Sequence, residues 1–187
     1  QRQMCIRDRT TINVDFYDTQ NRFSTLLPEH GYILDFGCGS GRDTKYFLEQ
    51  GFYVDATDGS EEMCHIASNY TGIQVRRLLF EELDENKKYD GIWACSSILH
   101  LPKNELKAVF MKMFKALKED GIIYTSFKYG DFEGERNGRY FTDFTEKTFE
   151  EFVGEIDNLQ LKEEWITGDV RPGRGEEKWL NVILQKN

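Results

Sequence analysis

Short apolar segments alternate with helical periodicities along most of the chain. Apolar runs bounded by glycine or polar residues are typical of buried strands, whereas apolar residues at i, i+3, i+4 and i+7 indicate one face of a helix. By these criteria the sequence predicts strands at residues 31–36, 52–57, 73–77, 89–95, 121–128, 159–166 and 178–185. It predicts helices over residues 43–50, from Ser60, over residues 104–118 and from Thr145.

The order of these elements predicts an α/β fold. Strands that alternate with helices favour a parallel sheet covered on both faces, and two consecutive strands at the end favour an antiparallel edge. We expect residues 10–187 to form one domain, since a chain of 187 residues is of ordinary size for one. Ligands of such sheets bind at the carboxyl ends of the strands, so the loops after strands one, two, four and five are the places to look for chemistry.

A glycine-rich loop follows the first strand. Gly37, Gly39 and Gly41 have the spacing GxGxG, so the GxGxxG fingerprint of dinucleotide sites is not met. Asp35 precedes the loop, where a carboxylate would repel a pyrophosphate but would suit an ammonium or sulfonium group. Asp58, at the end of the second strand, suits the two ribose hydroxyls of an adenosine, although a turn or capping aspartate is an alternative.

Three segments carry a family resemblance. Residues 33–41, 58–60 and 89–95 resemble the class I S-adenosylmethionine-dependent methyltransferases, and the chain is similar to small bacterial members grouped with tellurite-resistance-type enzymes. The resemblance runs from about Thr10 to the end. It implies S-adenosyl-L-methionine as cofactor and a Rossmann-like seven-stranded sheet of order 3-2-1-4-5-7-6, with strand 7 antiparallel.

The resemblance also implies a set of cofactor residues. The glycine loop would surround the methionine part, Asp58 the ribose, Met63 and Phe80 the adenine, and the end of the fourth strand the sulfonium. The full set is Asp35, Gly37, Cys38, Gly39, Gly41, Arg42, Asp58, Gly59, Ser60, Met63, Phe80, Ala94 and Cys95. A plain core role is an alternative for Met63 and Phe80, and an inert buried thiol is one for Cys95.

The acceptor side is less defined. His100 follows the fourth strand and is the best candidate base, because imidazole titrates near neutrality; a structural histidine is the alternative. The long loop after strand five favours a binding segment. The candidate catalytic residues are His100, Lys128 and Tyr129, and the candidate substrate-binding residues are Arg136, Arg139 and Tyr140. A solvated loop pinned by Arg–Glu pairs is the alternative, and residues 169–175 either approach the same mouth or only form a turn.

Composition narrows the function. A net charge of −9 weighs against nucleic-acid binding, and no apolar run is long enough to cross a bilayer. The four cysteines show no CxxC spacing, so we expect no metal site, no disulfides and a cytoplasmic location. The hypothesis is methyl transfer to a small molecule, with anionic and metalloid acceptors both open, by a monomer or weak homodimer. The alternatives are a non-catalytic cofactor-binding regulator and an NAD(P)-dependent oxidoreductase.

The first nine residues need separate treatment. They show neither a helical nor a strand period and resemble a translated sequencing adaptor. We interpret residues 1–9 as artefactual or disordered, and we expect the natural start to be missing. Phe16, Tyr17 and Phe23 are then the residues available before the first strand to cover the cofactor.

Overall fold

The computed structural model describes residues 15–187, so the interpretation of residues 1–9 lies outside the described part. Within it, two short 3₁₀ turns lie at Phe80–Glu82 and Ile98–His100. The helices and strands are α1 (Tyr17–Ser24), β1 (Tyr32–Phe36), α2 (Arg42–Glu49), β2 (Tyr53–Asp58), α3 (Glu61–Thr71), β3 (Arg76–Arg77), β4 (Tyr89–Ala94), α4 (Lys103–Ala116), β5 (Leu117–Lys128), β6 (Glu133–Arg136), β7 (Arg139–Thr142), α5 (Glu146–Val153), β8 (Leu159–Gly168) and β9 (Lys178–Lys186).

Seven strands form one sheet of order β3-β2-β1-β4-β5-β9-β8. The strands from β3 to β5 run parallel, and β9 runs antiparallel to both β5 and β8. The predicted Rossmann-like α/β fold, its strand order and its antiparallel seventh strand are therefore confirmed.

The two faces of the sheet carry separate apolar cores. Side chains alternate between faces along a strand, so neighbouring residues of β1 enter different cores. Leu34 and Phe36 pack with residues of α4 and α5, whereas Ile33 packs with Trp93 and with aromatic residues of α1 and α2. The ring of Trp93 stacks on that of Tyr124 with 4.0 Å between centroids, which ties β4 to β5 on the second face.

The end of α4 differs from the prediction. The helix predicted over residues 104–118 stops at Ala116. The residue with left-handed backbone that follows it is Asp120 (φ +61°), and not the glycine next to it, Gly121. Backbone amides that precede β4 explain the early stop, because Lys87 and Lys88 donate to the carbonyls of Lys115 and Ala116 at 2.9 and 2.8 Å. These bonds satisfy the last helical carbonyls in place of a glycine cap.

The segment predicted as a loop after strand five contains a β-hairpin. β6 and β7 pair antiparallel around Asn137 and Gly138, which both have positive φ (+54° and +75°). Asn-Gly between two strands favours this tight turn, so the sequence contained a signal for the hairpin. The described residues hold no helix long and apolar enough to span a membrane.

Helix α1 packs closely against the sheet at Gly91 of β4, where no side chain separates them. A Cβ added to Gly91 would lie 2.7 Å from Cζ of Phe23 and 2.9 Å from Cδ2 of Leu27. Phe23 is fully buried there against Phe47 and Trp93. Because Gly91 has no side chain, α1 can lie close to this face of the sheet.

Gly91→Val should push α1 away from the sheet. Because overpacking a filled core typically costs about 1–3 kcal/mol, we expect a loss of that size in the free energy of unfolding. Urea denaturation measures it. Gly175→Ala is the control, since a Cβ at Gly175 meets nothing within 4 Å. Equal stability of the two variants would contradict the proposed packing.

Candidate active site

The glycine loop between β1 and α2 is fixed from both sides. The amides of Gly37 and Cys38 donate to the carbonyl of Thr57 at 2.9 and 2.8 Å. Gly37 has φ +83°, and a Cβ there would lie 2.6 Å from Cβ of Ser97. Gly39 has φ +56° and open space where a Cβ would stand. The loop thus leaves bare backbone at the carboxyl end of β1, as close approach of a ligand requires.

A cavity of about 890 Å³ opens beside this loop. Its walls come from the glycine loop, the end of β2 with the start of α3, Phe80, the segment after β4 and the β6–β7 hairpin. Four acidic side chains line it, against three arginines. The acidic residues are Asp43, Asp58, Glu61 and Glu62, and the arginines are Arg42, Arg77 and Arg139. This lining does not favour a pyrophosphate.

Asp58 lies at the centre of the cavity wall. Its Oδ2 accepts from the Gly39 amide at 3.0 Å, and its Oδ1 accepts from the Ser60 amide at 2.8 Å. These bonds fix the carboxylate in plane and leave one lone pair on each oxygen. Burial raises the pKa of Asp58, while the two amides oppose the rise. The group is arranged to accept two further hydrogen bonds from a diol.

The structure buries Asp35, which was predicted to face the cofactor. Its carboxylate is buried beneath the loop, accepts from the Thr44 hydroxyl at 2.6 Å and is not part of the cavity wall. Burial, reinforced by the charge of Asp43, raises the pKa of Asp35 to about 8. The residue is therefore largely protonated at pH 7 and holds α2 against β1. That Asp35 faces a sulfonium stays a prediction, which this placement does not support.

The acidic residue that does reach this part of the cavity is Asp43. Its Oδ1 accepts from Gln20 at 2.6 Å and from Nε of Arg42 at 2.8 Å. Its Oδ2 accepts from Nη2 of Arg42 and from Nε1 of Trp93, both at 2.9 Å. One buried carboxylate thereby joins α1, α2 and β4 at the mouth of the glycine loop.

Most of the other proposed cofactor residues also meet at the cavity. Cys38, Arg42, Gly59, Ser60, Met63, Phe80 and Cys95 line it together with Gly37, Gly39 and Asp58. Gly41 and Ala94 lie outside its wall: Gly41 begins α2 against Thr71, and Ala94 is buried within the sheet. Met63 and Phe80 both line the cavity. Met63 is also buried, and Phe80 also packs against the apolar core. Contact with the adenine and a core role are therefore compatible for both residues.

A second cavity of about 190 Å³ adjoins the first. The two share the side chains of Arg42, Cys95, Ser96, His100 and Arg139. The far end of the second cavity is built by β5, β8, β9 and the loop between β8 and β9. Residues 169–175 therefore do more than form a turn, because Asp169, Val170, Arg171 and Arg174 line this cavity.

His100 lies at the junction of the two cavities. Its Nδ1 is 2.8 Å from the carbonyl oxygen of Tyr140, and its ring meets that of Phe141 with 4.7 Å between centroids. Because a carbonyl only accepts, Nδ1 carries the hydrogen and Nε2 of the neutral ring is the basic nitrogen. Burial lowers the pKa of His100, and the charge of Arg139 lowers it further, so the ring is neutral at pH 7.

The other acceptor-side candidates divide into two groups. Lys128 and Arg139 line the second cavity, and Arg139 and Tyr140 line the first. Tyr129 and Arg136 line neither. The Tyr129 hydroxyl donates to Glu146 at 2.8 Å, and Arg136 donates to both oxygens of Asp143 at 2.8 Å. The structure therefore supports no site role for Tyr129 or Arg136.

Sequence reasoning missed Ser96 at the junction and its hydrogen-bond partner Ser126. Ser96 adopts φ +51°, which is strained for a residue other than glycine, and its amide donates to the hydroxyl of Ser126 at 2.9 Å. Such strain clusters at functional sites, but no sequence pattern announces it. Cys95 lies beside it, and burial raises the pKa of its thiol to about 12, so it is no thiolate at pH 7.

Comparison with known proteins agrees with this geometry. Residues 33–121 match the family model described as "Methyltransferase domain". A proposed methyltransferase of Bacillus subtilis (strain 168), YqeM, is 34% identical over 116 residues, which cover 56% of this chain and 47% of YqeM. The match thus spans about half the length of this curated relative. An uncharacterized methyltransferase of Staphylococcus carnosus (strain TM300) is 25% identical over 160 residues, 79% of this chain and 77% of that protein.

Solved structures show the same fold. The 1,6-didemethyltoxoflavin-N1-methyltransferase of Burkholderia thailandensis, crystallised with 1,6-didemethyltoxoflavin and S-adenosylhomocysteine, superposes with a TM-score of 0.76 at 25% identity, over 91% of this chain and 77% of that one. The fold and site are thus similar to those of S-adenosylmethionine-dependent methyltransferases. The cofactor predicted from the sequence, S-adenosyl-L-methionine, is confirmed.

The residues present fit this cofactor. Asp58 offers two lone pairs to a ribose diol, Met63 and Phe80 offer apolar contact to a flat base, and the bare backbone at Gly39 gives room for the amino-acid part. The surplus of acidic side chains over arginines suits a ligand with a sulfonium and an ammonium group.

Asp58→Asn should weaken cofactor binding. The substitution removes the charge that accepts both diol hydrogens, and hydrogen bonds to charged groups contribute about 1.5–3 kcal/mol, so the Kd for S-adenosylhomocysteine should rise roughly 10- to 100-fold. Isothermal titration calorimetry measures it. Asp157→Asn, at an exposed position outside the cavity, is the control. An unchanged Kd for Asp58→Asn would contradict the assignment.

Proposed function

We propose that the protein transfers a methyl group from S-adenosylmethionine to a small-molecule acceptor bound in the second cavity. The observation that carries this proposal is the shared wall of the two cavities, at Cys95, Ser96 and His100. A donor in the larger cavity and an acceptor in the smaller one would meet at that wall. By this proposal, the acceptor lies on the side of β5, β8 and β9.

The chain's own groups suit a displacement reaction. Bound S-adenosylmethionine supplies an electrophilic methyl group, so the protein must mainly align acceptor, carbon and sulfur and exclude water. Arg42 is held rigidly by Asp43 at the junction, and its guanidinium lies 4.8 Å from the ring centroid of Phe16. Phe16 therefore closes the second cavity on the side of the N-terminal helix.

His100 is proposed to act as a base where the acceptor must lose a proton. As the bond from the acceptor atom to the methyl carbon forms and the carbon–sulfur bond breaks, the acceptor's proton passes to Nε2 of His100. The products are the methylated acceptor, S-adenosylhomocysteine and a proton on the imidazole. Nδ1 stays bound to the Tyr140 carbonyl throughout and fixes the ring.

The size of the second cavity supports a small acceptor. At about 190 Å³ it is smaller than the range for drug-sized ligands, which is roughly 300–1,000 Å³. The related enzyme of Burkholderia thailandensis bears the name of a small-molecule methyltransferase and was crystallised with its small heterocyclic ligand. A protein or nucleic-acid acceptor would need a wider opening and, for the latter, a basic surface.

Calorimetry followed by an acceptor panel tests the proposal. We expect binding of S-adenosylmethionine and no comparable binding of NAD, because the site lacks the features of a pyrophosphate cradle. With a panel of small hydroxyl, amine and thiol compounds, we expect formation of S-adenosylhomocysteine with at least one. Tight NAD binding alone, or cofactor binding with no turnover across the panel, would overturn the proposal.

The pH profile tests His100. Because its pKa lies below the usual 6.5, activity toward a hydroxyl acceptor should fall only as the pH drops through that lowered pKa, and should be level above it. His100→Gln should remove this acidic limb and lower kcat by roughly 10²–10⁴-fold, the usual contribution of a general base. His65→Gln, at an exposed position of α3, is the control. If His100→Gln keeps the same profile and rate, a base at this position is excluded.

A further inference from the structure

We propose that the loop between β8 and β9 forms a subsite for a carboxylate on a small planar acceptor. This inference rests on the proposed function and deepens it by naming the acceptor's class. Four basic side chains that no family resemblance singled out as a group line the second cavity. They are Lys128, Arg139, Arg171 and Arg174.

A buried aspartate organises these cations. Asp169 accepts from Nε of Arg171 at 2.8 Å, from Nη2 of Arg171 at 2.5 Å and from Nε1 of Trp179 at 3.1 Å. Nζ of Lys128 lies 3.8 Å from Oδ2 of the same carboxylate. Its side chain is 1% exposed, so Asp169 is a positioning residue that presents Arg171 and Lys128 side by side.

The cations are not fully neutralised. Glu177 is the second carboxylate of the cluster; it pairs with Lys128 and lies 3.8 Å from Arg174. Three cations therefore share two carboxylates. Arg139 adds a fourth, and no carboxylate of the described residues lies within ion-pair distance of it. This local excess of positive charge contrasts with the net charge of −9 of the chain.

Hydrogen-bond capacity also remains. Arg171 uses Nε–H and one hydrogen of Nη2 for Asp169, which leaves both hydrogens of Nη1 and the second hydrogen of Nη2 as a fork for a ligand. A guanidinium fork matches the two oxygens of a carboxylate, and charge-assisted bonds of this kind are stronger than neutral ones. A singly charged carboxylate fits better than a doubly charged group, since Asp169 and Glu177 would repel the second charge.

The walls of the cavity indicate a planar ligand. Phe16, Phe141 and Trp179 line it, and Nζ of Lys128 lies 4.7 Å from the ring centroid of Trp179. A ring between these aromatic side chains, with its carboxylate toward Arg171, would direct its opposite end to Ser96 and His100. That end is where the methyl group would be received, so the subsite would orient the acceptor.

Matched pairs of probes test the inference by binding. Benzoate with benzamide, 4-hydroxybenzoate with 4-hydroxybenzamide, and nicotinate with nicotinamide are titrated into the full chain, with and without S-adenosylhomocysteine, by ligand-observed NMR. We expect the carboxylate of at least one pair to bind about tenfold or more tightly than its amide, since a bond to a charged group is lost in the amide. Preference in no pair would overturn the proposal.

Two variants and one control locate the subsite. Arg174→Gln breaks only a 3.8 Å ion pair, so it should fold normally and reduce the preference for the carboxylate, and Arg171→Gln should abolish it. Arg22→Gln breaks a comparable 3.8 Å pair with Glu163 outside both cavities and should keep the preference. Retained preference in both Arg171→Gln and Arg174→Gln would overturn the proposal.

The same titrations separate this inference from the proposed function. S-adenosylhomocysteine should bind all three variants like the unsubstituted chain, because the changed residues lie outside the first cavity. Failure of the unsubstituted chain to bind S-adenosylhomocysteine would count against the proposed function. Failure of the free chain to prefer any carboxylate would count against the subsite alone.

Discussion

The carboxylate of Asp43 is the contact on which the site depends. A buried charge is tolerated only where it is paired and hydrogen-bonded, and Asp43 receives donors from Gln20, Arg42 and Trp93. These donors belong to α1, α2 and β4, so a single group holds the N-terminal helix, the helix after the glycine loop and the centre of the sheet in register. The position of Arg42 between the two cavities follows from the same contacts.

The nearby carboxyl groups of Asp35 and Asp43 differ in their hydrogen-bond partners and in their charge. Among the described residues, Asp35 accepts from the Thr44 hydroxyl, whereas Asp43 has Arg42 among its partners. Burial first, and then the nearby charge of Asp43, favour protonation of Asp35, whose pKa is raised to about 8. A folded-state pKa above the unfolded value means that this group stabilises the fold most below about pH 4 and progressively less as the pH rises toward 8. The cavity therefore draws its negative charge from Asp43, Asp58, Glu61 and Glu62, without Asp35.

The sequence predicted the sheet well, because period-two and helical patterns report which faces are buried. It also placed Asp58 at the end of β2 beside the glycine loop, where the structure has this carboxylate in the cavity wall. The burial of Asp35 was not predicted, because the alternation of β1 does not reveal that Thr44 of α2 covers that position. The end of α4 was misplaced for a similar reason, since its cap comes from Lys87 and Lys88, which are distant in sequence.

The acceptor side was harder to predict because its residues come from the whole length of the chain. Phe16, His100, Lys128 and Trp179 approach one another only in the folded molecule. Hydrophobic patterns within a window of ten or twenty residues carry no information about contacts between residues so distant in sequence. The β6–β7 hairpin is different: Asn137 and Gly138 were a local signal that could have been read.

The position of β9 has a consequence for how the molecule is assembled. β9 is the last strand in the chain, yet it lies inside the sheet, between β5 and β8. While the chain emerges from the ribosome, β1 to β5 can pair and shape the glycine loop, but β8 has no partner until β9 arrives. Pairings between distant segments form slowly, and an unpaired strand edge is exposed in the meantime. The first cavity can thus be present before the far end of the second cavity exists, and a chain that stopped before β9 would have the glycine loop without the wall formed by β8 and β9.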